Sequence, residues 1–389
     1  MNTKTFGLLI IFLCLMGFTL SVKGQNPFDI SFSERARITA FDNAITFDDE
    51  DPGWTFARFR TSLSANYSPW NQLTLNANVV NENWIWIKPE DKDTRFAEIF
   101  IDKLNLHWKG TEKFPLELKA GRQNLIFDEG FICLDAQPLS GSRSIYFDAV
   151  KTKYSFNPKN TLTAFAAKAR LYDEVLPVLN EGNTPQRLVE QPSKGYGVYY
   201  THQRDEGSLS LYFFRKKTFA TSDWPGQRKI NTPGFRIQWP FENISLTAEA
   251  AMQFGEQEQS THQAFGGYSY ATYTMPQIQW VDDFNLGGFY YSGDNAETSA
   301  KEGWDPMWAR WPKWSESYIY THIREYNGKI AYWSNISAVY LTLNANSGKN
   351  IRHKISFYHL MANKNNLRDA AFDDGKTRGE LFIYRLDYR

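Results

Sequence analysis

Basic side chains at alternating positions are the residues of this sequence with the most chemistry to offer. Arg58, Arg60, Lys168, Arg170, Arg236, Arg352, Lys354 and Arg385 each alternate with apolar neighbours. Guanidinium and ammonium groups that line a water-filled passage attract anions, and rings of them select negatively charged solutes. Glu249, Asp148 and Asp387 are the acids placed to pair with some of these bases. The plainer alternative is that arginine–acid ladders satisfy an inner wall and fix its register.

Other chemistries find less support. The six histidines, His107, His202, His262, His322, His353 and His359, lack metal-ligand spacing. No phosphate loop, nucleophile elbow or isolated pair of carboxylates stands out. The reading is therefore no catalytic residue, no cofactor and no metal. A barrel-embedded hydrolase would need a His or Ser facing lipid beside an acid, and His107, between Leu106 and Trp108, is the one position to keep in view. Trp304, Trp308, Trp311 and Trp314, with Tyr318 and Tyr320, crowd one segment. Indoles stack on sugars and apolar ligands, or pack a loop onto a rim or headgroup belt, and the packing role is favoured here.

The elements that must carry these residues are strands. Along 54–67, Ala57, Phe59, Leu63, Ala65 and Tyr67 share one face, while Phe56, Arg58, Arg60, Ser62, Ser64 and Asn66 share the other. Leu73, Leu75, Ala77 and Val79 oppose Gln72, Thr74, Asn76 and Asn78. Leu246, Ala248, Ala250 and Met252 oppose Ser245, Thr247, Glu249 and Gln253. Phe382, Tyr384, Leu386 and Tyr388 oppose Ile383, Arg385, Asp387 and Arg389. Short turns are expected near 68–70, 110–114, 157–160, 204–207, 240–243, 281–285 and 347–350. Longer polar connections are expected at 43–53, 88–95, 127–144, 172–193, 218–232, 255–262, 294–333 and 362–378. Short and long connections in alternation are what a transmembrane barrel with periplasmic turns and extracellular loops requires. The expectation is an all-β, transmembrane, antiparallel up-and-down β-barrel of about 16 strands. The longest connection, which opens at Asp294, is expected to fold over or into the mouth.

Composition agrees. Aromatics make up 16% of the 389 residues, yet mean hydropathy is −0.51, a combination that a polar lumen and aromatic girdles both demand. Residues 1–24 read as a secretory signal: Lys4, an apolar run from Phe6 to Leu20, and Val22-Lys23-Gly24 ahead of the cut. Residues 25–389 form the barrel, with no later run long enough for a spanning helix. Cys133 is then the one thiol left, so no internal disulfide forms. Without Lys4 and Lys23, 41 bases face 43 acids, a balance that excludes nucleic acid as a partner. Placing Arg or Lys against lipid costs about 2–4 kcal/mol at the bilayer midplane, which favours turning the strand bases inward.

Several stretches resemble the alginate-export outer-membrane barrels. Leu116-Glu117-Leu118-Lys119-Ala120-Gly121-Arg122-Gln123 is similar to a strand end of that family, and Ser142-Arg143-Ser144-Ile145-Tyr146-Phe147-Asp148 to the segment after it. Ala248-Glu249-Ala250-Ala251-Met252-Gln253-Phe254-Gly255 resembles its Glu-bearing strand, and Ser292-Gly293-Asp294 the opening of its next long loop. Asp128-Glu129-Gly130 departs from the tyrosine and glycine usual there. The resemblance implies an 18-stranded barrel in the outer membrane whose basic lumen passes an anionic polysaccharide. It makes Arg122, Arg143, Asp148, Glu249 and Asp294 candidate lining or loop-anchoring residues. The chain stops at Arg389, inside a strand-like pattern, so either the last strand is atypical or a final hairpin follows and makes 18.

The leading expectation is a passive outer-membrane channel for anionic or polar solutes, uronate-containing polysaccharide among them, embedded in outer-membrane lipid and open to periplasmic export partners. The alternatives are a barrel-embedded lipid-modifying or hydrolytic enzyme and a secreted β-rich sugar-binding protein. Detergent dependence and ion conductance separate the three.

Overall fold

The computed structural model describes residues 27–42, 53–90, 95–134, 147–180, 185, 187–295, 297–309, 334–364 and 375–389. The leader at 1–24, and with it the signal assignment, lies outside these. Seventeen strands follow in order: β1 (Phe28–Phe41), β2 (Trp54–Trp70), β3 (Leu73–Lys88), β4 (Arg95–Thr111), β5 (Phe114–Gln123), β6 (Phe147–Asn157), β7 (Asn160–Ala169), β8 (Val178–Asn180), β9 (Ser193–Gln203), β10 (Ser208–Thr218), β11 (Arg228–Phe241), β12 (Ile244–Gln257), β13 (Ser260–Thr274), β14 (Val281–Tyr291), β15 (Ile336–Asn346), β16 (Ile351–Met361) and β17 (Thr377–Tyr388). Apart from the three-residue β8, each pairs antiparallel with the next, β7 passing directly to β9. β8 instead continues the sheet beside the upper part of β4. The sixteen long strands form an up-and-down transmembrane β-barrel, with β1 and β17 at the margins of the ladder.

The two faces of this sheet exchange the roles they have in a water-soluble protein. Leu63, Leu246, Met252, Leu341, Phe357, Phe382 and Leu386 are exposed, whereas Arg60, Asn78, Glu82, Thr247, Glu249, Gln253 and Ser356 are buried. Each set keeps to alternate positions of its strand, so one face meets lipid and the other the interior. Lipid offers no hydrogen bonds, and a ladder of paired strands is one of two backbone arrangements that survive there.

The connections sort by length to the two ends of the barrel. Pairs such as Asn71–Gln72, Glu112–Lys113 and Pro158–Lys159 close one end. At the opposite end the strands are joined by longer connections, after β1, β5, β7, β10, β14 and β16. Two expectations are corrected. Val281–Asn285 begins β14, and the turn precedes it at Met275–Trp280. Its Asp and Asn residues read as turn formers, but Asp283 and Asn285 face inward. Asp283 there accepts hydrogen bonds from Asn344 (2.7 Å) and Asn285 (2.6 Å). The long connection expected at 255–262 is a tight turn at Glu258–Gln259, because β12 and β13 continue their pairing to Gln257 and Ser260.

Two segments from the long-loop end fold into the barrel. Residues 124–134 follow β5, and residues 297–309 follow β14. They join each other through backbone hydrogen bonds, Trp308 N–H to Ile132 O at 3.0 Å and Leu134 N–H to Trp308 O at 3.3 Å. Phe127, Phe131, Ile132, Trp304, Met307 and Trp308 then pack against inward Phe147, Phe165, Tyr199, Phe214, Tyr268 and Tyr291 in one buried cluster. This part of the interior is apolar because chain, not water, fills it.

Candidate functional site

On β1 and β2 the inner face carries four arginines in two rungs. Arg35 stands opposite Arg60, and Arg37 opposite Arg58. Directly opposed like charges destabilise a sheet unless something compensates them. The lower rung has acids: Arg60 is ion-paired with Glu82 on β3 and lies 3.6 Å from Asp102 on β4. All three are buried. The upper rung has aromatic surface: the Arg58 guanidinium lies 4.2 Å from the Trp84 ring centroid and 5.1 Å from that of Phe56. A planar cation held over indole keeps its charge and its outward-pointing donors. Arg35 and Arg37 are absent from the sequence reading. The alternation in Phe28–Phe41, with Ile30, Phe32 and Ile38 exposed, is the signal that would have found them.

Across the barrel, Arg236 on β11 stands opposite Glu249 on β12. The turn at Asp128–Gly130 inserts a second acid. Glu129 accepts from Arg236 at 2.9 Å and from the Tyr270 hydroxyl at 2.6 Å. Glu249 accepts from the Tyr268 hydroxyl at 2.8 Å, and Asp128 bonds the Tyr199 hydroxyl. Asp128 and Gly130 adopt φ of 44° and 80°. This turn, conspicuous in the sequence only as a departure from the family pattern, brings two carboxylates against the basic wall.

The second insert is held by one buried carboxylate. Asp305 lies 3.1 Å from Lys216 and 2.9 Å from Arg228. Its backbone exchanges two hydrogen bonds with Gln253, at 2.6 and 2.9 Å. Burial favours the neutral acid, but Lys216 and Arg228 together outweigh it and hold the Asp305 carboxyl at about 2. Trp308 donates to Ser193 Oγ at 3.1 Å, and Trp304 stacks on Phe131. Asp294 accepts from the Glu302 N–H at 2.8 Å and closes the first turn of the same insert. Both indoles serve packing; Trp311 and Trp314 lie outside the described residues, as does Arg143.

The remaining expected lining residues divide. Arg122 is buried, 2.9 Å from Asp173 and 3.5 Å from Asp148. Alternation places it with Leu118 and Ala120, opposite Asp148 in the register, and Asp173, on the segment after β7, is the carboxylate that covers it. Arg385 stands on the inner face, opposite Lys354, and bonds Asp387 at 2.9 Å. Asp148 and Lys168 are corrected. They oppose each other on the face of Val150 and Tyr196, which is the outer one. Arg170, just past β7, follows Lys168 there and bonds Asp148 at 2.5 Å. The physical reason is local: the inner residues of β7, Phe165, Ala167 and Ala169, pack against the inserts and are as apolar as the outer ones. Hydrophobic contrast is lost where it was needed.

Residues 60–380 match the model of the family described as Alginate export. No curated protein matches the sequence. Among solved structures, Pseudomonas aeruginosa OpdK with vanillate is similar at 10% identity, over 92% of this chain and 86% of that one, with a TM-score of 0.52. Acinetobacter baumannii outer membrane channel DcaP aligns at 11% identity over 94% and 97%, with a TM-score of 0.48. Salmonella typhi OmpF with daunomycin aligns at 10% over 93% and 97%, with a TM-score of 0.49. At such identity the OpdK likeness speaks for the fold. The family match spans well over half of the sequence, and the protein therefore belongs to the alginate-export family, as a passive β-barrel channel of the bacterial outer membrane.

Proposed function

We propose that the channel passes anionic solutes, with uronate-containing polysaccharide as the class its family description indicates. The observation that carries this reading is the pair of arginine rungs on β1 and β2. Two guanidinium pairs share one inner surface, with Glu82 and Asp102 concentrated on Arg60. Guanidinium groups at this density on one inner wall attract an anion moving past Arg37 and Arg58 while leaving it free to go on, as conduction requires. We also read residues 25–389 as a single barrel delivered by a leader at 1–24, and the chain as a channel rather than an enzyme. His107, the position kept in view for hydrolysis, pairs with Glu117 at 3.4 Å. It lies on the face opposite exposed Leu106, away from lipid.

The test is a reversal-potential measurement in planar bilayers under a KCl gradient, repeated with an oligouronate added to one side. Wild type should prefer chloride and be blocked by the oligouronate. The Arg37→Ala/Arg58→Ala variant should lose both properties. Equal selectivity in the two proteins removes the anion assignment.

A further inference from the structure

Outside the barrel, four lysines from four different strands form one row. Lys168 on β7 stands opposite Lys194 on β9, Lys194 opposite Lys217 on β10, and Lys217 opposite Lys229 on β11. Asp148 on β6 and Glu256 on β12 end the row. Strands lie about 4.8 Å apart, so the four ammonium groups fall within roughly 15 Å. Lys168, Lys194 and Lys229 are exposed, as is Arg215 beside them.

The terminal acids leave three of the four lysines unpaired by a carboxylate. Asp148 is engaged by Arg170 at 2.5 Å and Arg122 at 3.5 Å, and Glu256 by Lys229 at 2.9 Å. Among the described residues no carboxylate lies within ion-pair distance of Lys168, Lys194 or Lys217. Adjacent like charges cost stability, and the cost recurs at three successive strand pairs.

Depth gives the row its meaning. Lys194 is the second residue of β9, Lys217 the last but one of β10, and Lys229 the second of β11, all at the long-loop end. That end of an outer-membrane barrel faces the outer leaflet. Towards the midplane the same face becomes apolar, with Val150, Tyr196, Val198 and Leu211 exposed. The basic row, with Val150, Ala166 and Tyr196 below it, lines a groove of about 600 Å³.

A groove with cations at headgroup height and apolar surface below fits an amphiphile with an anionic head. We propose that it binds a phosphorylated glycolipid of the outer leaflet, phosphates on Lys168, Lys194, Lys217 and Arg215, and acyl chains over Val150 and Tyr196.

The test titrates the purified full chain, in zwitterionic micelles, with fluorescent bisphosphorylated lipid A and with the same lipid after phosphate removal. Wild type should prefer the phosphorylated form. Lys168→Gln/Lys194→Gln/Lys217→Gln should bind it at least about tenfold more weakly, while the triple arginine variant retains binding. Heat-shifted gel migration reports that each variant is folded. Inorganic phosphate at the lipid's own concentration should displace nothing, and ion selectivity should stay that of wild type, because the row lies outside the lumen. Equal binding of the two lipids, undiminished binding by the glutamine variant, displacement by free phosphate, or altered selectivity would each overturn the assignment.

Discussion

The Asp305 carboxylate, on a segment far from β11 in sequence, lies 2.9 Å from the Arg228 guanidinium at the start of that strand. With Lys216 it makes a buried clasp between the wall and the insert that fills the interior.

Breaking the clasp should loosen the insert. Asp305→Asn leaves two buried cations without their anion, a change that typically costs about 3–5 kcal/mol. We expect faster protease cleavage within 297–309 and noisier single-channel currents. The acid response follows from the lowered carboxyl. Its stabilisation is complete above the unfolded value near 4 and is lost as pH falls towards about 2. Currents of wild type should therefore stay quiet down to about pH 4, and cleavage and noise should rise below it. An Asp305→Asn protein with wild-type noise contradicts this account.

Glu82 restrains the charge of Arg60. Glu82→Gln keeps the shape and removes the negative charge, so chloride preference should rise in the same reversal-potential measurement. Stability should fall by about 3–5 kcal/mol, because a buried ion pair has lost one partner. A shift towards cations would place this pair off the solute path.

Gly121 immediately precedes Arg122 on β5. A Cβ there would meet Leu104 O at 2.4 Å, at a φ of 122°. Gly121→Val should therefore lower the thermal midpoint and release Arg122 from Asp173. Arg122→Ala alone should destabilise the rim while leaving ion selectivity close to wild type, since its charge is already neutralised by Asp173 and Asp148. A large selectivity change in Arg122→Ala would instead place it in the lumen.

Adjacent positions on β3 should report opposite solvents. Leu75 is exposed on the outer face, and Asn76 bonds Asn105 on the inner one at 3.0 Å. With Cys133 buried, a charged maleimide should label Asn76→Cys and spare Leu75→Cys. A lipid-soluble quencher should affect a dye at Leu75→Cys. Reversed labelling would invert the barrel faces.

Much of the architecture was legible in the sequence. On β2, β3, β12 and β17 a two-residue alternation of large apolar and polar side chains sets strand, face and pairing mode together, because a pleated strand sends successive side chains to opposite sides. The inward positions of Arg60, Arg236 and Glu249 follow from that contrast. It carries no information where both faces are apolar, as on β7. The length of the connection after β14 pointed to a fold over or into the mouth, but tertiary structure alone decided that the segment after β5 joins it and that both pack on apolar inner residues. It also brought Asp305 to Arg228, and lysines separated by many residues into one row. Side-chain alternation is a property of a single strand, whereas register between strands and the path of an insert depend on which distant segments meet.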